Sequence, residues 1–294
     1  MAVWRRDRRA GLVHEAPVAA ALMALSAFSF SAERAAADEI ASDWVEGFNS
    51  RTRLSAARLS EGSGQKLYAF VEIEMPKGWK TYWKVPGDSG VPPAFDWSRS
   101  DNVEQATVLY PAPRRIEDKG GEVVGYLDKV VFPVEIKEKN KDLPAGLDLV
   151  MQFGICKDIC IPADVNLSLA IGEDDVGEAS ATALAALERV PRSGARIGPE
   201  DPMLKKVTAE LEGAKPRLII EAAFPGGAES AEVFLEAPGG AYLPPARKTA
   251  TTGDVATFEV DLADGVDVAS LRGALLAATL VSARGQSTAS FRIE

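Results

Sequence analysis

The sequence predicts an all-β chain of two β-sandwich domains joined by a short helical linker. Short runs with apolar residues at every second position recur along most of its length, separated by Gly, Pro, Asn and Asp. A single stretch, 179–190, is instead rich in helix formers, and Pro191 stops it between the two β-rich regions. The organisation expected is an export signal over 1–37, a first domain over 38–172, a helical linker over 173–202 and a smaller second sandwich over 203–294.

Arg5, Arg6, Arg8 and Arg9 precede an apolar run over 18–30, and Ala35, Ala36 and Ala37 follow it. That is the layout of a secretory signal peptide, and the run is short for a bilayer span. The mature chain is thus expected in the periplasm, with no integral membrane segment once the signal is cleaved. Residues 38–50 form a polar lead-in. The runs 52–59 and 66–75 flank Glu61-Gly62-Ser63-Gly64 and predict a hairpin in which Leu67, Ala69, Val71, Ile73 and Met75 share one face. Residues 78–97, dense in aromatics, Pro and Gly, read as sandwich corners packed by Trp79, Tyr82, Trp83 and Trp97. Strands follow at 103–109 and 130–136, with a polar, glycine-containing loop between them over 114–126, for which a long surface hairpin is the alternative.

In the linker, Leu184 and Leu187 stand three apart as the apolar pair of the helix. The second domain is expected to hold strands at 207–211, 217–223, 231–236, 256–262, 274–282 and 287–293, with a helix over 269–278 as the other reading of the fifth.

Charge and composition exclude several functions. The chain carries 33 Lys and Arg against 43 Asp and Glu, and the acidic balance argues against nucleic acid and anionic membranes as partners. Its one histidine, His14, lies in the expected signal. The mature chain therefore offers no imidazole as a general base or as a zinc or copper ligand, and no cofactor is expected.

Chemistry concentrates at the two cysteines, Cys156 and Cys160, in Phe153-Gly154-Ile155-Cys156-Lys157-Asp158-Ile159-Cys160-Ile161-Pro162. They join runs at 147–153 and 163–171 that read as strands. In a straight strand, positions four apart lie about 13 Å from each other, beyond the ~4.4–6.8 Å between the Cα atoms of a disulfide. A bond therefore requires the chain to turn, and Gly154 and Pro162 flank such a bend. Closing a loop of about five residues constrains the unfolded chain by only about 2 kcal/mol. The spacing leaves three uses open: a disulfide that is exchanged, a structural bond or pair of buried thiols, and a thiolate pair for Cu(I).

Five motifs carry a resemblance. Gly78-Trp79-Lys80-Thr81-Tyr82-Trp83, Pro92-Pro93-Ala94-Phe95-Asp96-Trp97, Tyr110-Pro111-Ala112-Pro113-Arg114-Arg115, Gly125-Tyr126 with Phe132-Pro133-Val134, and the stretch from Cys156 to Pro162 are similar to the periplasmic N-terminal domain of thiol:disulfide interchange proteins of the DsbD type. They resemble still more the exported DsbD-domain proteins related to the copper-tolerance protein ScsB, over roughly residues 50–172. The resemblance implies an immunoglobulin-like sandwich for the first domain, which with the β pattern further on makes the expected fold class all-β: two immunoglobulin-like β-sandwich domains joined by a short helical linker. It also implies a cysteine pair that cycles between dithiol and disulfide without a cofactor. The partners it implies are a membrane thiol-disulfide reductase and periplasmic thioredoxin-like proteins, in settings such as cytochrome c biogenesis and copper tolerance.

By the same resemblance Cys160, followed by Ile161 and Pro162, is the sulfur that enters mixed disulfides, and Cys156 resolves them. The family shields its pair with a cap loop after an acidic step. Glu117 and Asp118 match that step, so Glu117, Asp118, Lys119, Gly120, Gly121 and Tyr126 are the cap loop candidates. Lys119-Gly120-Gly121 stands where the enterobacterial proteins carry aromatics, and the cysteines are closer together than in those proteins. The sequence carries neither the family's membrane domain nor its thioredoxin-like domain, so electrons are expected from another polypeptide.

Overall fold

Side chains alternate between the two faces of a strand, so a run that is apolar at every second position buries one face and needs a second sheet to bury it against. The computed structural model describes residues 40–62, 64–87, 90–118, 121–172, 175 and 179–294. The export signal expected over 1–37 lies outside the described residues. In the first sandwich the strands are β1 (Ile40–Ala41), β2 (Val45–Gly47), β3 (Ser50–Glu61), β4 (Gly64–Glu74), β5 (Lys80–Gly87), β6 (Ala94–Asp96), β7 (Val103–Val108), β8 (Arg114–Asp118), β9 (Gly121–Leu127), β10 (Lys129–Glu138), β11 (Ala145–Cys156) and β12 (Cys160–Ile171).

One sheet runs β1-β3-β4-β10-β7, with β2 added on β3, and the other runs β12-β11-β5-β9-β8, with β6 added on β11. Their inner faces meet in one core, where Leu67, Ala69, Val71, Ile73 and Met75 pack with Phe132, Trp83, Leu149 and Met151. Phe132 lies edge-on to Phe95, Tyr110 and Tyr126, with ring centroids 5.4, 5.5 and 5.4 Å away. The hairpin of β3 and β4 is the one expected, down to the shared face of its apolar residues.

One stretch takes its alternative reading and another departs from expectation. Residues 114–126 are the long hairpin that stood as the alternative to a loop: β8 and β9 pair from Arg114↔Gly125 to Asp118↔Gly121. Ile116, Val123 and Val124 are the buried residues that hold it. The aromatic stretch read as corners contains β5, which lies between β11 and β9 in its sheet. Tyr82 and Trp83 are both buried there, one on each face, so the period-two signal is lost when neither face is polar.

The linker helix α1 (Ala181–Glu188) starts at Ser180, whose hydroxyl accepts a hydrogen bond from the Ala183 amide at 3.2 Å. Its buried residues are Ala183 and Ala186; of the leucine pair Leu187 packs half-buried beside them and Leu184 is exposed. Small residues let the helix sit close on the outer face of the first sheet, over Tyr68, Phe70 and Val131.

The second sandwich has β13 (Met203–Glu210), β14 (Arg217–Ala223), β15 (Glu232–Glu236), β16 (Arg247–Thr252), β17 (Val255–Asp261), β18 (Leu275–Val281) and β19 (Gln286–Arg292). They form the sheets β13-β14-β17-β16 and β15-β18-β19 around Leu218, Ile220, Phe224, Phe258, Leu276 and Leu280. Strand β16 was not foreseen, because all six of its residues are exposed and carry no apolar alternation. The alternative helix over 269–278 is reduced to one turn, α2 (Val268–Leu271), before β18 begins. The fold is thus the all-β, immunoglobulin-like double sandwich expected. Among the described residues no helix is long and apolar enough to cross a membrane.

Candidate functional site

Strands β11 and β12 pair along their whole length, from Ala145↔Ile171 to Cys156↔Cys160. The three residues between the cysteines reverse the chain, so the last pair of the ladder is the cysteine pair itself. Its Cα atoms are 4.3 Å apart and its sulfurs are bonded. The turn the spacing demanded is therefore present, with Gly154 opposite Pro162 just below it. The two sulfurs differ in surroundings: Cys156 is 1% exposed, whereas Cys160 is exposed and follows Ile159, an apolar side chain 75% exposed at the turn.

Strand β5 brings polar groups to the pair. Lys80 stands opposite Cys156 in the sheet. Although the residue is 3% exposed, its Nζ donates to the Lys157 carbonyl at 3.1 Å and so ties down the turn. Two residues on, the Tyr82 hydroxyl lies 2.6 Å from Cys156 Sγ and 2.7 Å from Cys160 Sγ. Bonded sulfurs carry no proton, so the hydroxyl is the donor to either one.

The Tyr82 ring reaches them by lying across Gly154. A Cβ at that glycine would stand 3.0 Å from Tyr82 Cε2 and 3.1 Å from Val91 Cβ. Thr81 fastens the same crossing, its Oγ1 donating to the Gly154 carbonyl at 2.9 Å. Sequence reasoning counted Tyr82 as a packing residue. The β5 to β11 register, which no local pattern encodes, makes it a sulfur ligand of the hydrogen-bonding kind.

A hydroxyl aimed at both sulfurs strengthens its bond to whichever becomes a thiolate, since hydrogen bonds to charged groups contribute about 1.5–3 kcal/mol. Tyr82→Phe is therefore expected to slow reduction of the disulfide by dithiothreitol roughly tenfold. Equal rates in stopped-flow thiol exchange would reduce Tyr82 to a packing residue.

The β8–β9 hairpin closes the other side. Ile116 and Val123 are buried together with Tyr82 and Cys156. The cap loop candidates occupy its far end: Glu117 is exposed and pairs with Glu122 across the hairpin, and Asp118 pairs with Gly121. Lys119 and Gly120 lie outside the described residues. Tyr126 is not over the pair but in the first core, 4% exposed, its ring against Phe132 and its hydroxyl donating to the Pro111 carbonyl at 2.8 Å. Burial pushes its phenol well above the usual range. The Glu122 carboxyl is raised by burial but raised less than it is lowered by hydrogen bonds from Arg247 and Arg115, and it ends below its ordinary range. Among the described residues no group of three or more His, Cys, Asp and Glu is placed to hold a metal ion.

Residues 53–171 match the family model of the thiol:disulfide interchange protein DsbD, N-terminal. The fold is similar to the crystal structure of the N-terminal periplasmic domain of ScsB from Proteus mirabilis, with a TM-score of 0.66 and 22% identity. That match covers 87% of this chain and 99% of the other. No curated protein sequence matches the chain. The segment 53–171, which builds most of the first sandwich and carries both cysteines, is thus similar to the DsbD N-terminal domain.

Proposed function

We propose that the protein is a periplasmic thiol:disulfide interchange module, relaying electrons from a membrane thiol-disulfide reductase to thioredoxin-like proteins through Cys156 and Cys160. One observation carries the reading: of two bonded sulfurs, one is buried beneath Tyr82 and the other is open to solvent. A bond that only staples its own hairpin gains nothing from such asymmetry, whereas exchange needs one sulfur a partner reaches and one it does not.

Loading begins when a thiolate of the reductase attacks Cys160 Sγ. The Cys156–Cys160 bond breaks, its electron pair leaves on Cys156, and a mixed disulfide forms at Cys160. Tyr82 donates to the departing Cys156 thiolate, and a better-stabilised leaving thiolate departs faster. The reductase's second thiolate attacks its own sulfur in the mixed bond and frees the dithiol. Delivery runs the same steps outward. The Cys160 thiolate attacks the partner's disulfide, then Cys156 attacks Cys160 Sγ, which re-forms the intramolecular bond and leaves the partner with two thiols.

The reduction potential tests this. Equilibration in glutathione buffers, read by alkylation of the thiols, is expected to give a value between about −300 and −120 mV, the span in which exchanging proteins work. A potential well below about −300 mV belongs to a fixed structural disulfide and overturns the proposal.

A further inference from the structure

The three side chains that enclose Cys156 each have a chain neighbour held by the second sandwich. Tyr82, Ile116 and Val123 are buried with the sulfur. Successive residues of a strand point to opposite faces, so Trp83, Arg115 and Glu122 turn the other way. Trp83 sets its ring edge-on to Phe234 of β15, with centroids 5.8 Å apart. Arg115 donates from Nε to Glu232 at 2.5 Å and from Nη2 to the carbonyls of Val233 at 2.8 Å and Ala246 at 3.0 Å. Glu122 accepts from Arg115 at 2.7 Å and from Arg247 at 2.6 Å.

Arg115 is the centre of this arrangement. Its side chain is only 13% exposed and that of Glu122 17%, so this ion pair is partly shielded from water, while Glu232 is 40% exposed. The guanidinium is a rigid planar fork, and three of its four acceptors belong to the second sandwich. Domains of one chain move against each other unless something holds them. Here the holding contacts fall one residue away from the cover of Cys156.

We infer that the second sandwich sets how readily Cys156 reacts, by pressing the β8–β9 hairpin and the middle of β5 onto it, with Arg115 as the positioning residue. The biological meaning of this control rests on the exchange reading above. Loss of the clamp lets Ile116 and Val123 lift from the sulfur, while the first sandwich keeps its own core.

The test uses the full chain, reduced, with iodoacetamide at one fixed pH. Cys160→Ser leaves Cys156 as the only thiol, and Cys156→Ser leaves Cys160. Into each go Arg115→Gln and, separately, the pair Glu232→Gln with Arg247→Gln, which leaves the first sandwich's sequence untouched and decides the matter if Arg115→Gln does not fold. Alkylation of Cys156 is expected to accelerate about tenfold in both clamp variants, with Cys160 unchanged. An unchanged Cys156 rate overturns the inference, and so does an equal rise at both sulfurs, which reports general loosening. No partner protein enters this assay. A Cys160 that never forms mixed disulfides would remove the exchange reading and leave the clamp result standing.

Discussion

Cys160→Ser is expected to abolish mixed disulfides with every partner, and Cys156→Ser to accumulate them. The difference follows from burial alone. With Cys160 gone, the remaining sulfur is 1% exposed beneath Tyr82, Ile116 and Val123, and an attacking thiolate has no line of approach. With Cys156 gone, Cys160 still attacks or is attacked at the surface, but nothing inside the protein displaces the partner from it. Mixing each variant with an oxidised thioredoxin-like protein and running a non-reducing gel distinguishes them. A crosslinked band with the Cys160→Ser protein reverses the roles assigned to the two sulfurs. Absence of a band with either variant removes disulfide exchange as the function.

Gly125→Ala is expected to cost about 3 kcal/mol or more of stability, the upper end for overpacking, because the clash is with backbone. A Cβ at this position would stand 2.1 Å from the Thr81 carbonyl oxygen and 3.1 Å from Tyr82 Cα. Neither can rotate away, so β5 must separate from β9, with which it pairs at Thr81↔Tyr126 and Tyr82↔Gly125. The strand that moves carries Lys80 and Tyr82. The variant should therefore lose both urea resistance and the Tyr82 contact with the sulfurs. An unchanged midpoint in urea denaturation would show that the strands part at little cost, contrary to this account.

The cysteine turn was legible because an impossible distance in a straight strand left reversal of the chain as the only way to bond the sulfurs. Strands of the second sandwich were legible where one face is buried, as in β14, where Leu218, Ile220 and Ala222 alternate with half-buried neighbours. The β8–β9 hairpin was legible only as the alternative to a loop. Its charged alternates, Arg115 and Glu122, look like loop composition in a one-dimensional pattern, yet they face protein and not water. Only the position of the second sandwich explains them. Tyr82 was hidden for a related reason: an aromatic among aromatics reads as core, and its partner sulfurs lie more than 70 residues further along the chain.

The cysteines form the final rung of a ladder whose other rungs run unbroken down to Ala145↔Ile171. Opening the sulfur bond leaves those rungs tied, so the reduced molecule is expected to keep the outline of the oxidised one. On the exchange reading proposed above, traffic through the pair would take its direction from the electron pressure on either side, as current in a wire follows the voltage across it.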